Sequence, residues 1–245
     1  MDNTCSLTRW LPVTGSCPFV DAKAGLAVDF SIRIYYANRQ AADGRINSMD
    51  DQERGKRSMN YIVMDLEWNQ SGTRYRAERN GVRLAGEIIE IGAVRVNENM
   101  EVLEQYCQYV KPECYQKMNR NVTELTDITD DMIADGRPFK EVITEFLEWC
   151  GGDAFLTWSE NDIIMIEDNM LFHGMDIDHL PKCYDMQLLF DDQVTQEDRS
   201  FALSYAMWKF DIKPQRSHDA LNDALNTVEV IKRLDLSEGF EEYEI

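Results

Sequence analysis

The run YIVMDLEW at residues 61–68 constrains this chain most, because it is apolar until it meets Asp65 and Glu67. Ile62, Val63 and Met64 have the character of a buried strand. In a strand, residues i and i+2 point to the same face. Asp65 and Glu67 therefore project side by side from a strand that begins inside a core. Two carboxylates this close repel, and holding both ionised without a cation is costly. All-oxygen ligation of this kind suits a hard divalent ion such as Mg²⁺ or Mn²⁺. The plain alternative for the pair taken alone is a strand that ends in solvent with two exposed acids.

Two further segments bear on that alternative. SHDALNDALNTVEVIKRL, residues 217–234, places Leu221, Leu225, Val228 and Ile231 at helical spacing, which predicts an amphipathic helix over 218–234. His218 opens it and Asp223 follows five residues on. Ala220 and Ala224 keep one face small, so the helix can lie close against a neighbour. Asp219 reads as a first-turn acid favoured by the helix dipole. Asp162 follows the short apolar run AFLTW, residues 154–158, and opens a helical segment over 162–172. Four carboxylates and one histidine thus fall at element ends, where loops present chemistry. His173 and His179 lie outside these motifs and are assigned no role.

This set resembles the DEDDh family of exonucleases, the RNase T and DNA polymerase III proofreading superfamily. DLE matches the first motif with Asp65 and Glu67; EIIEIGAV, residues 87–94, resembles the family's second strand. TWSEND supplies the second-motif acid, Asp162, and HDALNDA supplies H-x-A-x-x-D-A with His218, Ala220, Asp223 and Ala224. The resemblance spans residues 60–234. DLEW, the TW before Asp162, and LTDIT at residues 125–129 look most like the branch of histone-mRNA 3′ exonucleases and the sporulation inhibitor KapD. The chain departs from the family pattern at Asp127 and Ser159, where glycine is common. It also reads Trp68-Asn69-Gln70 where proofreading subunits read TGL, which points away from a proofreading or oligoribonuclease assignment.

The resemblance implies 3′→5′ hydrolysis of single-stranded RNA or DNA to nucleoside 5′-monophosphates. Two Mg²⁺ or Mn²⁺ ions about 4 Å apart would stabilise the attacking and leaving oxygens. It makes Asp65, Glu67, Asp162 and Asp223 the metal ligands, with Asp65 bridging. It makes His218 the general base, a role suited to an imidazole, whose ordinary pKa is about 6.5. Leu66, Trp68 and Trp158 are the candidate substrate contacts. The two indoles could stack on a base, but each lies at a strand end, where core packing is the stronger reading. RNA is favoured over DNA as the partner. A catalytically silent binding module on the same fold is the alternative function, and the intact set of five residues speaks against it.

The formal net charge is −20. Residues 1–58 hold eight Lys and Arg against seven Asp and Glu, so the remaining 187 residues carry −21. Phosphate binding favours a basic surface, so an enzyme this acidic should grip a short 3′ end rather than a long duplex. Arg74, Arg76, Arg79 and Arg83 form the one basic stretch, either a backbone contact or a solvated loop. The six cysteines lack metal-ligand spacing and fit a reducing cytoplasm, where the protein is expected. No signal or membrane segment is predicted, since Asp29 and Arg33 interrupt the longest apolar stretch of the first 58 residues.

Three segments are expected: a disordered or non-native extension over 1–58, an exonuclease domain over 59–236, and a mobile acidic tail over 237–245. Strands are predicted at 61–66, 87–96, 102–110, 154–158 and 183–186, and helices at 139–150, 162–172, 201–208 and 218–234. Three strands in succession predict an antiparallel meander, and the later alternation adds parallel strands. The expected fold is α/β, a ribonuclease-H-like mixed sheet with helices on both faces.

Overall fold

A computed structural model describes residues 59–197 and 199–245. The expectations for residues 1–58 lie outside the described residues. In chain order the elements are β1 (Tyr61–Asn69), β2 (Glu78–Arg79), β3 (Val82–Arg83), β4 (Glu87–Val96), β5 (Val102–Lys111), α1 (Arg120–Thr126), α2 (Asp130–Ala134), β6 (Arg137–Pro138) and α3 (Phe139–Cys150). They continue with β7 (Ala154–Thr157), α4 (Asn161–Phe172), β8 (Cys183–Asp185), α5 (Met186–Phe190), a π-helical turn at Asp191–Thr195, α6 (Leu203–Lys209), α7 (Ala220–Ile231) and a 3₁₀ turn at Glu241–Tyr243.

Six strands form one mixed sheet in the order β6-β5-β4-β1-β7-β8. β1, β4 and β5 are the expected antiparallel meander, while β7 and β8 add in parallel. The sheet is covered on both faces because β1 alternates two apolar sets. Ile62, Met64 and Leu66 pack with Phe139, Ile143 and Phe146 of α3 and Ile163, Ile166 and Met170 of α4. Val63 packs on the opposite side with Phe190 of α5, Met207 of α6 and Val228 and Ile231 of α7. Period-two alternation through a central strand thus makes two cores, and the catalytic motif continues the second face.

Several boundaries differ from the expectation. Strand 183–186 ends at Asp185, because the Asp185 carboxylate accepts from the Gln187 and Leu188 amides and starts α5 at Met186. The last long helix begins at Ala220, because the Asp219 side chain accepts from Asn222 N at 3.0 Å and caps it. The basic stretch is a two-strand hairpin, β2–β3, in which Arg79 is taken up by Glu113 at 2.6 Å and Arg76 donates to nearby carbonyls.

The acidic tail is docked, which corrects the expectation of a mobile end. Phe240 is buried against Tyr61 and Tyr184, with ring centroids 5.3 and 4.9 Å away. Ile245 N donates to Cys183 O at 2.9 Å, and Glu244 pairs with Lys182 at 2.5 Å. One aromatic anchor and a bridge to the edge strand β8 outweigh the charge of the segment. Among the described residues no helix is long and apolar enough to cross a membrane.

Candidate active site

Asp65 lies opposite Gly92 of β4, and Glu67 opposite Glu90, so the two acids share one face as the spacing required. That face is roofed by α7. A β-carbon added to Gly92 would stand 2.1 Å from Leu221 N and 2.2 Å from Ala220 C, so the helix backbone rests directly on the strand. Ala220 and Ala224 are fully buried beneath it. The small helix face read from the sequence therefore meets a glycine, and the close approach brings the start of α7 over Asp65 and Glu67.

His218 precedes the cap of α7 on an exposed stretch, with φ 61°, and its backbone N–H donates to Asp223 Oδ2 at 2.7 Å. Asp223 Oδ1 accepts from Asn226 Nδ2 at 3.0 Å. One carboxylate thus holds both the loop that carries the histidine and the helix that follows. Among the described residues, ligand atoms of Glu67, His218 and Asp223 all lie within 4.8 Å of one another. Asp162, in the first turn of α4, reaches β1 from the parallel side, and its Oδ1 accepts from Leu66 N at 3.1 Å.

The five residues therefore come from β1, α4, α7 and the loop before α7, and the acids feel one another. Burial pushes the Asp65 carboxyl well above the usual carboxylate range, and Asp162, Glu67, Asp223 and Glu90 add to it. Burial also raises Glu67 to about 8, reinforced by Asp223 and Glu90. Asp162 is raised to about 7 by burial, against the pull of the Leu66 N–H. Asp223 is raised too, by burial, with Asn226 and His218 opposing. A cluster that resists ionisation in this way is short of positive charge. Opposite ligands of one ion bound at about 2.1–2.4 Å stand roughly 4.2–4.8 Å apart, so the spacing of the Glu67, His218 and Asp223 donor atoms would admit one cation.

The candidate substrate contacts fare differently. Trp158 is buried, donates Nε1–H to Phe201 O at 3.1 Å and packs 5.5 Å from the Phe190 ring. It is a core residue, in line with packing at a strand end rather than with base stacking, and its N–H is already used. The Leu66 side chain is buried in the α3–α4 core, and only its backbone reaches the site, through Asp162. Trp68 is half-buried against that same core, with Cδ1 close to Gly86. It therefore lies on the face away from Asp65 and Glu67.

Two residues at the site were not singled out from the sequence. Glu90 is buried beside Glu67 and accepts from Ala220 N at 3.3 Å. Gly92 admits the helix. Both stand in EIIEIGAV, where a glutamate and a glycine interrupt an otherwise apolar strand.

A family model described as exonuclease matches residues 62–231. The chain belongs to the exonuclease family. Its fold is that of the DEDDh exonucleases, the ribonuclease-H-like architecture expected from the motifs. The nuclease domain of 3′hExo, a DEDDh family member bound to rAMP, aligns with a TM-score of 0.64 at 19% identity, over 79% of this chain and 96% of that one. An E. coli exonuclease I in complex with a dT13 oligonucleotide aligns with a TM-score of 0.53 at 14% identity, over 71% and 40%. In sequence, 104 residues are 31% identical to the PolC-type DNA polymerase III of Staphylococcus haemolyticus (strain JCSC1435), covering 42% of this chain. The same enzyme of Staphylococcus aureus (strain bovine RF122 / ET3-1) is 32% identical over 96 residues, or 39% of this chain. The match spans about 6% of the length of these polymerases. Like other exonucleases of this fold, the chain is a hydrolase of phosphodiester bonds whose family implies a divalent metal.

Proposed function

We propose that this exonuclease works 3′→5′ on single strands, RNA in preference to DNA, and releases nucleoside 5′-monophosphates. The observation that supports the reading is the clustering of Asp65 with Glu67, Asp162 and Asp223, with His218 joining Glu67 and Asp223 at its edge. Two structures of similar fold add support, one of 3′-end specific recognition of a histone mRNA stem-loop by a 3′-exonuclease and one of 3′hExo bound to rAMP.

Asp65, Glu67, Asp162 and Asp223 would hold Mg²⁺ or Mn²⁺, which supply Lewis acidity to the phosphoryl oxygens and lower the pKa of a bound water. The remaining work belongs to the chain. Asp223 fixes the His218 backbone, so the imidazole is presented at the cluster rather than left to swing on its exposed loop. A ring nitrogen of His218 takes the proton of the attacking water. Leu66 N–H orients Asp162, the acid contributed from α4. The α7 roof limits the space above Asp65.

The test uses 5′-end-labelled RNA and DNA oligonucleotides with Mg²⁺, Mn²⁺ or EDTA, resolved on a gel. A ladder that shortens from the 3′ end, stops at a 3′-phosphate and vanishes in EDTA is expected. Full activity in EDTA overturns the metal assignment, and internal cuts or loss of the 5′ label as mononucleotide overturns the polarity.

A further inference from the structure

We propose that Glu90 is a positioning residue for the exonuclease reaction, the anchor that fixes the start of α7 over the acids of β1. The proposal rests on the reading of Asp65, Glu67, Asp223 and His218 given above, and it concerns a residue that takes no part in that chemistry. Glu90 is 2% exposed in the middle of a central strand. A carboxylate there must be satisfied by donors, because an unpaired buried charge is strongly unfavourable. Its Oε2 accepts from Ala220 N at 3.3 Å and its Oε1 from the Cys107 thiol at 3.4 Å. Burial and the Glu90 charge push Cys107 and Tyr109, which face it from β5, up to about 12, so both meet it as protonated groups.

Ala220 is the first residue of α7, and the amides of a helix's first turn have no partner within the helix. Asp219, just before the helix, caps the Asn222 amide, but the Ala220 amide is taken by the sheet. Glu90 therefore ties the first turn of a twelve-residue helix to the strand that pairs with β1. The positive end of the helix dipole favours an anion at that place. The tie lies between His218 and Asp223 in sequence, and two register positions from Gly92, where the backbones touch. With Gly92 providing the room and Glu90 the grip, the height and rotation of α7 are set. They decide whether Asp223 and His218 meet Glu67.

Two substitutions separate grip from charge. Glu90→Gln keeps the reach and an acceptor oxygen but removes the charge, whereas Glu90→Asp keeps the charge and withdraws it by one methylene. The full chain is assayed for kcat and KM on an oligonucleotide at saturating Mg²⁺, and amide exchange over residues 217–224 is followed in the metal-free protein. Glu90→Asp should lower kcat about tenfold with KM within about twofold, and should speed exchange in the first turn of α7 about tenfold. Glu90→Gln should stay within about threefold of wild type on every measure. The opposite ranking overturns the proposal, as does a Glu90→Asp protein whose loss of rate matches only its unfolded fraction in a thermal melt. If the exchange pattern holds while wild type shows no nuclease activity, the functional reading has failed and the anchoring has not.

Discussion

Replacing Gly92 with alanine should disable this enzyme without unfolding it. The added β-carbon would lie 2.1 Å from Leu221 N, 2.2 Å from Ala220 C and 2.6 Å from Ala220 O. All three are backbone atoms, so no side chain can rotate away. Ordinary van der Waals contact begins near 3.4 Å, so α7 must lift from the strand by about 1.3 Å. Asp223 and His218 move with the helix, while Asp65, paired with Gly92, stays with the sheet. Metal sites tolerate about ±0.2 Å in ligand distance, and a misplacement of about 1 Å can cost on the order of 10²-fold in rate. Overpacking of this size costs roughly 1–3 kcal/mol of stability, which a domain with two cores can absorb. The assay pairs kcat at saturating Mg²⁺ with a thermal melt and metal titration by calorimetry. Expected are a folded protein, weakened metal binding and a kcat lower by about two orders of magnitude. A folded Gly92→Ala protein with kcat within threefold of wild type would show that the contact of α7 with β4 does not set the active-site geometry.

Asp65→Asn should abolish both activity and Mg²⁺-dependent stabilisation, while His218→Ala should keep metal binding and lose about 10²–10⁴ in rate. If calorimetry finds metal lost equally in both, His218 is a ligand and not the base. In EDTA the protein should melt at higher temperature at pH 5.5 than at pH 8.5. The folded-state values of Glu67, raised from 4.5 to about 8, and Asp162, raised from 3.8 to about 7, mean that stability present below the unfolded values is lost as pH rises through the folded ones. A metal-free melting temperature that does not fall over that range contradicts the buried-acid account. With Mg²⁺ held constant, KM for a short oligonucleotide should stay flat or fall as KCl is raised, because a chain of net charge −20 repels its substrate and salt screens that repulsion. A steep rise of KM with salt would instead reveal several phosphate contacts.

The parts legible in the sequence are those whose signal is periodic and local. β1 shows an unbroken apolar run that ends in two acids spaced two apart, and α7 shows its apolar stripe and its alanines. Both place catalytic residues because the period itself decides which face they occupy. The helices α1 and α2 are seven and five residues long, too short for a stripe. Their signal lies in caps instead: Asn119 accepts from Asn121 N, and Thr129 from Met132 N. Glu90 is hidden because a lone glutamate in an apolar strand has a face but no known neighbour until the β1–β4 register sets it against Glu67. Trp158 carries two readings in the sequence, and its burial decides for packing. An aromatic beside a motif acid has the look of a stacking platform, yet its N–H is claimed by Phe201 O, forty-three residues away. The tail misleads by composition, since acidity says nothing of Phe240 finding Tyr61.

The two departures from the family pattern, Asp127 and Ser159, keep the backbone that glycine would favour. Asp127 has φ 60° and Ser159 φ 110°, and His218 joins them at φ 61°. Asp127 lies in the left-handed region that short polar side chains tolerate, and its carboxylate pairs with Arg216, two residues before His218. Ser159 lies outside that region, where a non-glycine residue costs about 1–3 kcal/mol. Its carbonyl accepts from Thr157 Oγ1 at 2.7 Å, which holds the bend that delivers Asp162 to Leu66. The turn's shape is thus required by the position of Asp162, and serine occupies it at a cost in strain. Ser159→Gly should release that strain. It forfeits the Oγ contact with Asn161 Nδ2 at 3.0 Å and loosens the unfolded chain by roughly 0.5–1 kcal/mol. A net gain of about 1 kcal/mol remains, or a melting temperature higher by about 2–4 °C for a domain of this size. Exonuclease rate should be retained, because Thr157 still ties the bend. A Ser159→Gly protein that melts lower and loses rate would mean that the serine hydroxyl, not the backbone shape, holds Asp162 in place.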